Sequence, residues 1–276
     1  MNRGMTIEQV KEVALRGVRF GVVDEAGFIA WAMGELEAGR GRWVVTPNLD
    51  IVRRVCAEED VRRLVDAADL RVADGWPIVL AAKLQGTPLP GRVTGSGLIH
   101  TLTAAAAAHG RSVFFLGGED DTAERAAAVL KERSPALRVA GSYCPPFGFE
   151  KDAAEMTRIE AVLRDSGADV VYVALGFPKA ERLIAELRGR GVLPAALWIG
   201  VGISFSYVCG HVKRAPGAVR AVGLEWLYRL LQEPRRLGRR YVVEGPPFAA
   251  RLLVGAALAR KFEGRRSKFE RRSRAE

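Results

Sequence analysis

The chain has 276 residues, with 42 Lys and Arg against 32 Asp and Glu and a formal net charge of +10, enough for one large domain or one domain with an appendage. The excess charge is local. After Gly210 there are 17 basic against 6 acidic residues, and the remainder is about neutral, which argues for a local anionic partner rather than a basic fold. Cys56, Cys144 and Cys209 lack metal or CxxC spacing, as expected of a reduced, cytoplasmic setting.

The start, Met1 to Lys11, is polar and reads as no signal peptide. "WVVT" (43–46) reads as a strand before the helix-like "NLDIVRRVCAEEDVRRLVDAA". "LRVADG" (70–75) precedes "WPIVLAAKL", and "GRVTGSGLIHTLTAAAAAHG" fits a glycine-rich turn entering an alanine-rich helix. "SVFFLGG" (112–118) leads into "DTAERAAAVLKERS", and "LRVAGSY" into "PPFGFEKDAAEMTRIEAVLRDSG". "ADVVYVALG" (168–176) leads into "PKAERLIAELRGRG", and "AALWIGVG" (195–202) closes the series. Near-continuous apolar strands, each followed by an amphipathic helix, predict an α/β fold: a mainly parallel sheet covered on both faces, Rossmann-like.

Beyond Gly210 the pattern changes to two basic helices, about 217–233 and 236–262, and a charged end. The division expected is a catalytic body over 1–210, a basic helical appendage over 211–262 and a disordered tail over 263–276. The apolar run "PPFAARLLVGAALA" falls short of the roughly 20 residues of a spanning helix and is interrupted by Arg251. Lying on a membrane is therefore expected, and crossing it is not.

Ligands of open parallel sheets gather beyond the carboxyl ends of the strands. Thr46 and Asn48 occupy such a place, where they could bind a sugar or phosphate, or Asn48 could simply cap a helix. Asp74 ends another strand before Gly75, as a general base or a helix cap. Arg92 precedes Gly95, Ser96 and Gly97, whose turn could expose N–H groups to an anion. "LGFPKAE" (175–181) and "IGVGISF" (199–205) form two more junctions. Gly200-Val201-Gly202 lacks the third glycine of a dinucleotide fingerprint, and no phosphate-binding P-loop or serine-hydrolase elbow is present. His100, His109 and His211 lie far apart and no Asp-x-Asp pair occurs, so no metal and no cofactor are expected.

In order, "TPNLDIV", "ADGWPIV", "RVTGSGL", "VFFLGG", "PPFGF", "LGFPKAE", "GVGISF", "KRAP" and "GLEWLYRLLQEPRRLGRRY" resemble the WecG/TagA/CpsF glycosyltransferases from about Val18 to Tyr241. The resemblance implies metal-independent, inverting transfer of N-acetylmannosamine, its uronic acid or glucose from a UDP-sugar. The acceptor it implies is a saccharide on a polyprenyl diphosphate lipid at the inner membrane face, in teichoic-acid, antigen or exopolysaccharide synthesis. By the same resemblance the base falls on Asp74, and polar pocket residues fall on Thr46 and Asn48. The pocket arginine falls on Arg92, and the appendage arginines on Arg229, Arg236 and Arg239. Gly95, Ser96, Gly176, Pro178, Lys179, Glu181, Gly200 and Gly202 are expected to line the substrate pocket. Two positions depart from the family pattern: Ala180 stands where Gln is usual and Ser206 where Asp is usual.

The partners expected are thus a UDP-sugar, a lipid-linked saccharide and an anionic membrane surface, at a cytoplasmic, peripheral location. A homo-oligomer is compatible with the sequence. The competing readings are a nucleic-acid binder, which the neutral body and missing recognition motif disfavour, and a degenerate homologue without turnover, which the intact Asp74 disfavours.

Overall fold

The computed structural model describes residues 7–221 and 223–273. A short antiparallel hairpin comes first, β1 (Glu12–Leu15) and β2 (Val18–Gly21), in which Leu15 pairs with Val18. Its two-residue loop, Arg16-Gly17, has φ of +52° and +81°, as a hairpin turn matched to strand twist requires. Helix α1 (Glu25–Glu37) follows, capped by Asp24, whose carboxylate accepts from Gly27 N–H at 2.7 Å.

Strands and helices then alternate. β3 (Arg42–Val45) leads to α2 (Leu49–Ala57) and α3 (Glu59–Asp66); β4 (Leu70–Arg71) leads to α4 (Trp76–Gln85) and α5 (Gly95–Ala108). β5 (Ser112–Gly117) precedes α6 (Thr122–Arg133), and β6 (Arg138–Tyr143) precedes α7 (Ala153–Ser166). β7 (Val170–Ala174) precedes α8 (Lys179–Gly189), and β8 (Leu197–Gly200) precedes α9 (Ser204–Val208). The six strands β3 to β8 form one parallel sheet in the order β4-β3-β8-β7-β5-β6. This is the Rossmann-like α/β fold expected. One difference is local: the long helix read over 48–68 is broken at Glu58, which adopts φ −125° and ψ 111° between α2 and α3.

Alternation along the strands builds two cores, because successive side chains point to opposite faces. Val113, Phe115, Val170, Tyr172, Leu197 and Ile199 pack with α1, α5 and α6. Phe114, Leu116, Val171, Val173 and Trp198 pack with α7 and α8. Tyr172 is buried, with its hydroxyl 3.0 Å from Thr103 Oγ1, so a polar atom deep in the first core is paired.

The C-terminal part comprises α10 (Gly217–Ala221), α11 (Glu225–Gln232), α12 (Pro234–Gly238), a π-helical turn (Arg239–Glu244) and α13 (Gly245–Ser273). Pro234 to Lys261 forms one 28-residue helix, long and apolar enough by length and composition to cross a membrane. That is longer than the interrupted apolar run suggests. The π turn is where the chain absorbs Pro246 and Pro247, which cannot donate to the preceding turn; Gly245 N–H reaches back to Arg240 O instead. One face of this helix is buried: Phe248, Leu252 and Ala256 share a third core with Ile78, Ala81 and Ala82 of α4, Val52 and Val55 of α2, and Phe20 of the hairpin. The backbone of α13 runs on as helix to Ser273. Side chains from Phe262 onward, and residues 274–276, lie outside the described residues.

Candidate active site

β3, β4 and β8 are neighbours, so the turns after them meet at one edge of the sheet. Thr46 leaves β3 half-buried. A Cβ built on Gly95 would lie 3.8 Å from Thr46 Oγ1, 3.4 Å from Gly200 O and 3.3 Å from Val201 Cα. Thr46, Gly95 and the end of β8 are therefore packed together, and Ser96 follows Gly95 in the first turn of α5. Asn48 is the α2 cap: its Oδ1 accepts from Asp50 and Ile51 N–H at 3.1 Å each. The same oxygen also accepts from Arg240 Nη2 at 3.4 Å, so the capping role is seen, with an appendage arginine added.

Asp74 follows β4 and is half-buried, its backbone N–H donating to Pro47 O at 3.1 Å. Gly75, not Asp74, is the residue that opens α4, so the carboxylate is not spent on capping. Among the described residues it makes no hydrogen bond or ion pair, yet charges surround it. Its pKa is raised to about 7, first by desolvation and then by Glu225, against the opposing pull of Arg92, Arg229 and Arg214. Such a group is poised to accept a proton near neutrality.

The appendage supplies part of this setting. Gly223, between α10 and α11, has φ +78°, and a Cβ there would lie 2.7 Å from Trp76 Cδ1. Trp76 in turn carries the Arg92 guanidinium 4.8 Å above its ring. Arg214 donates to Ser96 Oγ at 2.8 Å and lies 3.8 Å from Glu225. Arg229 faces both Asp74 and the half-buried Tyr207; burial raises the phenol's pKa, with Arg229 opposing and Glu225 adding. Arg240 lies 3.2 Å from Asp50, and Trp226 meets Tyr241 edge-on at 6.2 Å, so the C-terminal helices are fastened to the α2 end of the site.

Not every expected residue joins this cluster. Arg236 pairs with Glu233, and Arg239 with Glu244 at 2.9 Å; the Arg239 side chain is 86% exposed. Gly176, Pro178, Lys179 and Glu181 gather after β7, a separate stretch of the same sheet edge. Lys179 pairs with Glu150 at 3.1 Å and sits 5.4 Å from the Phe147 and Phe149 rings. Glu181 is buried, lifted to about 7 by desolvation, and its Oε2 has no hydrogen-bond partner among the described residues. Its Oε1 stands 2.6 Å from a Cβ position on Gly200, which ties this group to the β8 end. Gly202 follows with φ +56°. Ala180 and Ser206 are both buried, Ala180 in the second core.

Sequence reasoning missed Trp76, Arg214, Tyr207, Glu225 and Arg240. Arg214 and Glu225 sit inside "KRAP" and "GLEW", but only the docking of α11 on Trp76 turns them toward Asp74. No group of three or more His, Cys, Asp or Glu side chains stands together as a metal site among the described residues.

Fold and site together define an α/β enzyme with a raised strand-end carboxylate facing a cluster of arginines, a setting suited to transfer of a group carrying negative charge. Residues 13–262 match the model of the Glycosyl transferase WecG/TagA/CpsF family, and the chain belongs to that family. It is a glycosyltransferase with a role in cell-surface polysaccharide synthesis.

Proposed function

We propose that the protein is an inverting, metal-independent glycosyltransferase that moves a hexose-type sugar from a UDP-sugar to a saccharide on a polyprenyl diphosphate lipid. N-acetylmannosamine, its uronic acid and glucose are the sugars the family resemblance favours. The observation that carries the reading is Asp74, a raised and unpaired carboxylate faced by Arg92, Arg214 and Arg229. In the reaction, Asp74 takes the proton of the acceptor hydroxyl as its oxygen attacks the anomeric carbon from the face opposite the nucleotide. The bond to the diphosphate oxygen breaks, its electron pair leaves with UDP, and the arginines stabilise the growing negative charge. Thr46, Gly95, Ser96 and the Gly200–Gly202 turn are assigned to the sugar side. Gly176, Pro178, Lys179 and Glu181, after β7, are assigned to the nucleotide side.

The membrane part of the proposal rests on the C-terminal helices. Leu231, Val242, Val243, Val254 and Leu258 are exposed, while the opposite face of the long helix is held in the third core. A helix packed this way presents its free apolar face to a bilayer surface without leaving the body, and basic neighbours favour anionic headgroups. On this reading the protein lies on the cytoplasmic face of the membrane, with 211–262 as the contacting segment and 1–210 as the catalytic body.

A donor screen tests the function directly. UDP-N-acetylmannosamine, its uronic acid and UDP-glucose are each incubated with a polyprenyl-diphosphate-GlcNAc analogue, reading UDP release and product mass. One of them is expected to give a product one sugar heavier. Release of UDP from none, with an acceptor set covering the common lipid-linked sugars, would discard the reading.

A further inference from the structure

The appendage brings a carboxylate as well as arginines to Asp74. Because Gly223 packs on Trp76, the second residue after Asp74, α11 opens directly over the Asp74 turn. Glu225 in its first turn lies 3.8 Å from Arg214, which also donates to Ser96 Oγ at 2.8 Å. Arg214 is thus engaged by Glu225 and Ser96, and Asp74 keeps its carboxylate unpaired.

We propose that Glu225 is a positioning residue for the base: docked α11 holds Arg214 between Glu225 and Ser96, so that Arg214 does not pair with the Asp74 carboxylate. The proposal rests on the reading of Asp74 as general base. The groups facing Asp74 are Arg92 from the turn before α5, Arg214 from the segment before α10, and Glu225 and Arg229 from α11. Tyr207 of α9 faces Glu225, Arg229, Arg214 and Tyr241 around them. Among these groups three cations oppose one anion. Removing that anion leaves the cations unbalanced and frees Arg214 to pair with Asp74, both of which lower the proton affinity of the base. Base strength is in this way coupled to docking of the appendage.

The experiment uses the full chain. The pH dependence of kcat/KM is measured for the parent protein, Glu225→Gln and Glu225→Asp, with UDP affinity measured separately. For Glu225→Gln the acidic limb should move to lower pH and the plateau rate should fall ~3–30-fold, as a weaker general base gives, with UDP affinity unchanged. Glu225→Asp, which keeps the charge, should hold the limb near its original position. A Glu225→Gln profile that superimposes on the parent overturns the proposal, and so does a Glu225→Asp profile displaced as far as the Gln variant. Asp74→Asn in the same assay separates the two claims. An inactive Asp74→Asn beside an unshifted Glu225→Gln discards the role of Glu225 alone, whereas an active Asp74→Asn discards the base itself.

Discussion

Asp74 is a carboxylate that folding makes harder to ionise, and this has two measurable consequences. With its pKa raised to about 7, the basic form accumulates only above neutrality, so kcat/KM should climb through pH 7 toward a plateau on the alkaline side. Asp74→Asn should cost ~10²–10⁴-fold in turnover, the usual contribution of a general base. The same raised pKa has a sign for stability. A carboxylate with a higher pKa folded than unfolded favours the native state while protonated, and that contribution is lost as pH rises from about 4 through about 7. Asp74→Asn should therefore melt higher than the parent at pH 8, by at least about 2 °C, and the gain should shrink steadily as pH falls and be nearly gone at about pH 4. An equal Tm difference at both pH values would show that desolvation of this carboxylate is not what the substitution relieves. Arg229 acts on the same group in the opposite direction to Glu225. Arg229→Ala should move the acidic limb to higher pH and lower kcat more than Arg239→Ala, since Arg239 is turned to solvent beside Glu244. Equal losses for the two arginines would place the leaving-group cations elsewhere.

At the scale of elements, the long C-terminal helix has two faces with separate tasks. Leu252 is buried against α4 and α2, so Leu252→Ala should destabilise by about 2–5 kcal/mol, the range for a buried leucine truncation, and thermal unfolding reads it. Val254 and Leu258 are exposed on the same helix. Val254→Ser with Leu258→Ser should leave Tm close to the parent and weaken co-sedimentation with anionic vesicles. Undiminished vesicle binding would remove this face from the membrane contact. The central sheet strands were legible in sequence because they are buried on both faces and read as continuous apolar runs, whereas the edge strand β6 has no buried residue. The hairpin was not, since its strands are four residues long, partly exposed and joined by Arg-Gly rather than the usual Asn-Gly or Asp-Gly. Nor were the breaks at Glu58 and Gly223, where tertiary packing overrides an otherwise helical pattern. The pairing of Phe248 and Leu252 with α4 likewise depends on contacts far apart in sequence.

Over the whole molecule, charge is divided between a near-neutral α/β body and a basic C-terminal region, and the proposed active-site cluster forms where the two meet. Sequence could locate the body's half of that cluster, because strand ends followed by Thr46, Asp74 and Gly200 mark the ligand edge of a parallel sheet. It could not rank the basic residues after Gly210, since which of them face Asp74 depends on how α11 docks. Arg214 and Arg229 do, while Arg236 and Arg239 pair with neighbouring glutamates at the surface. Arginines, not a metal, are the cations proposed to meet the leaving diphosphate, and turnover should persist in EDTA. The central claim, single displacement driven by Asp74, is tested most directly by the anomeric configuration and rate of product formed from a UDP-sugar on a polyprenyl-diphosphate-linked acceptor, with parent and Asp74→Asn proteins side by side in chelator. The account predicts product of inverted configuration from the parent and at least ~10²-fold less from Asp74→Asn; retained configuration, or an undiminished rate in the variant, would contradict it.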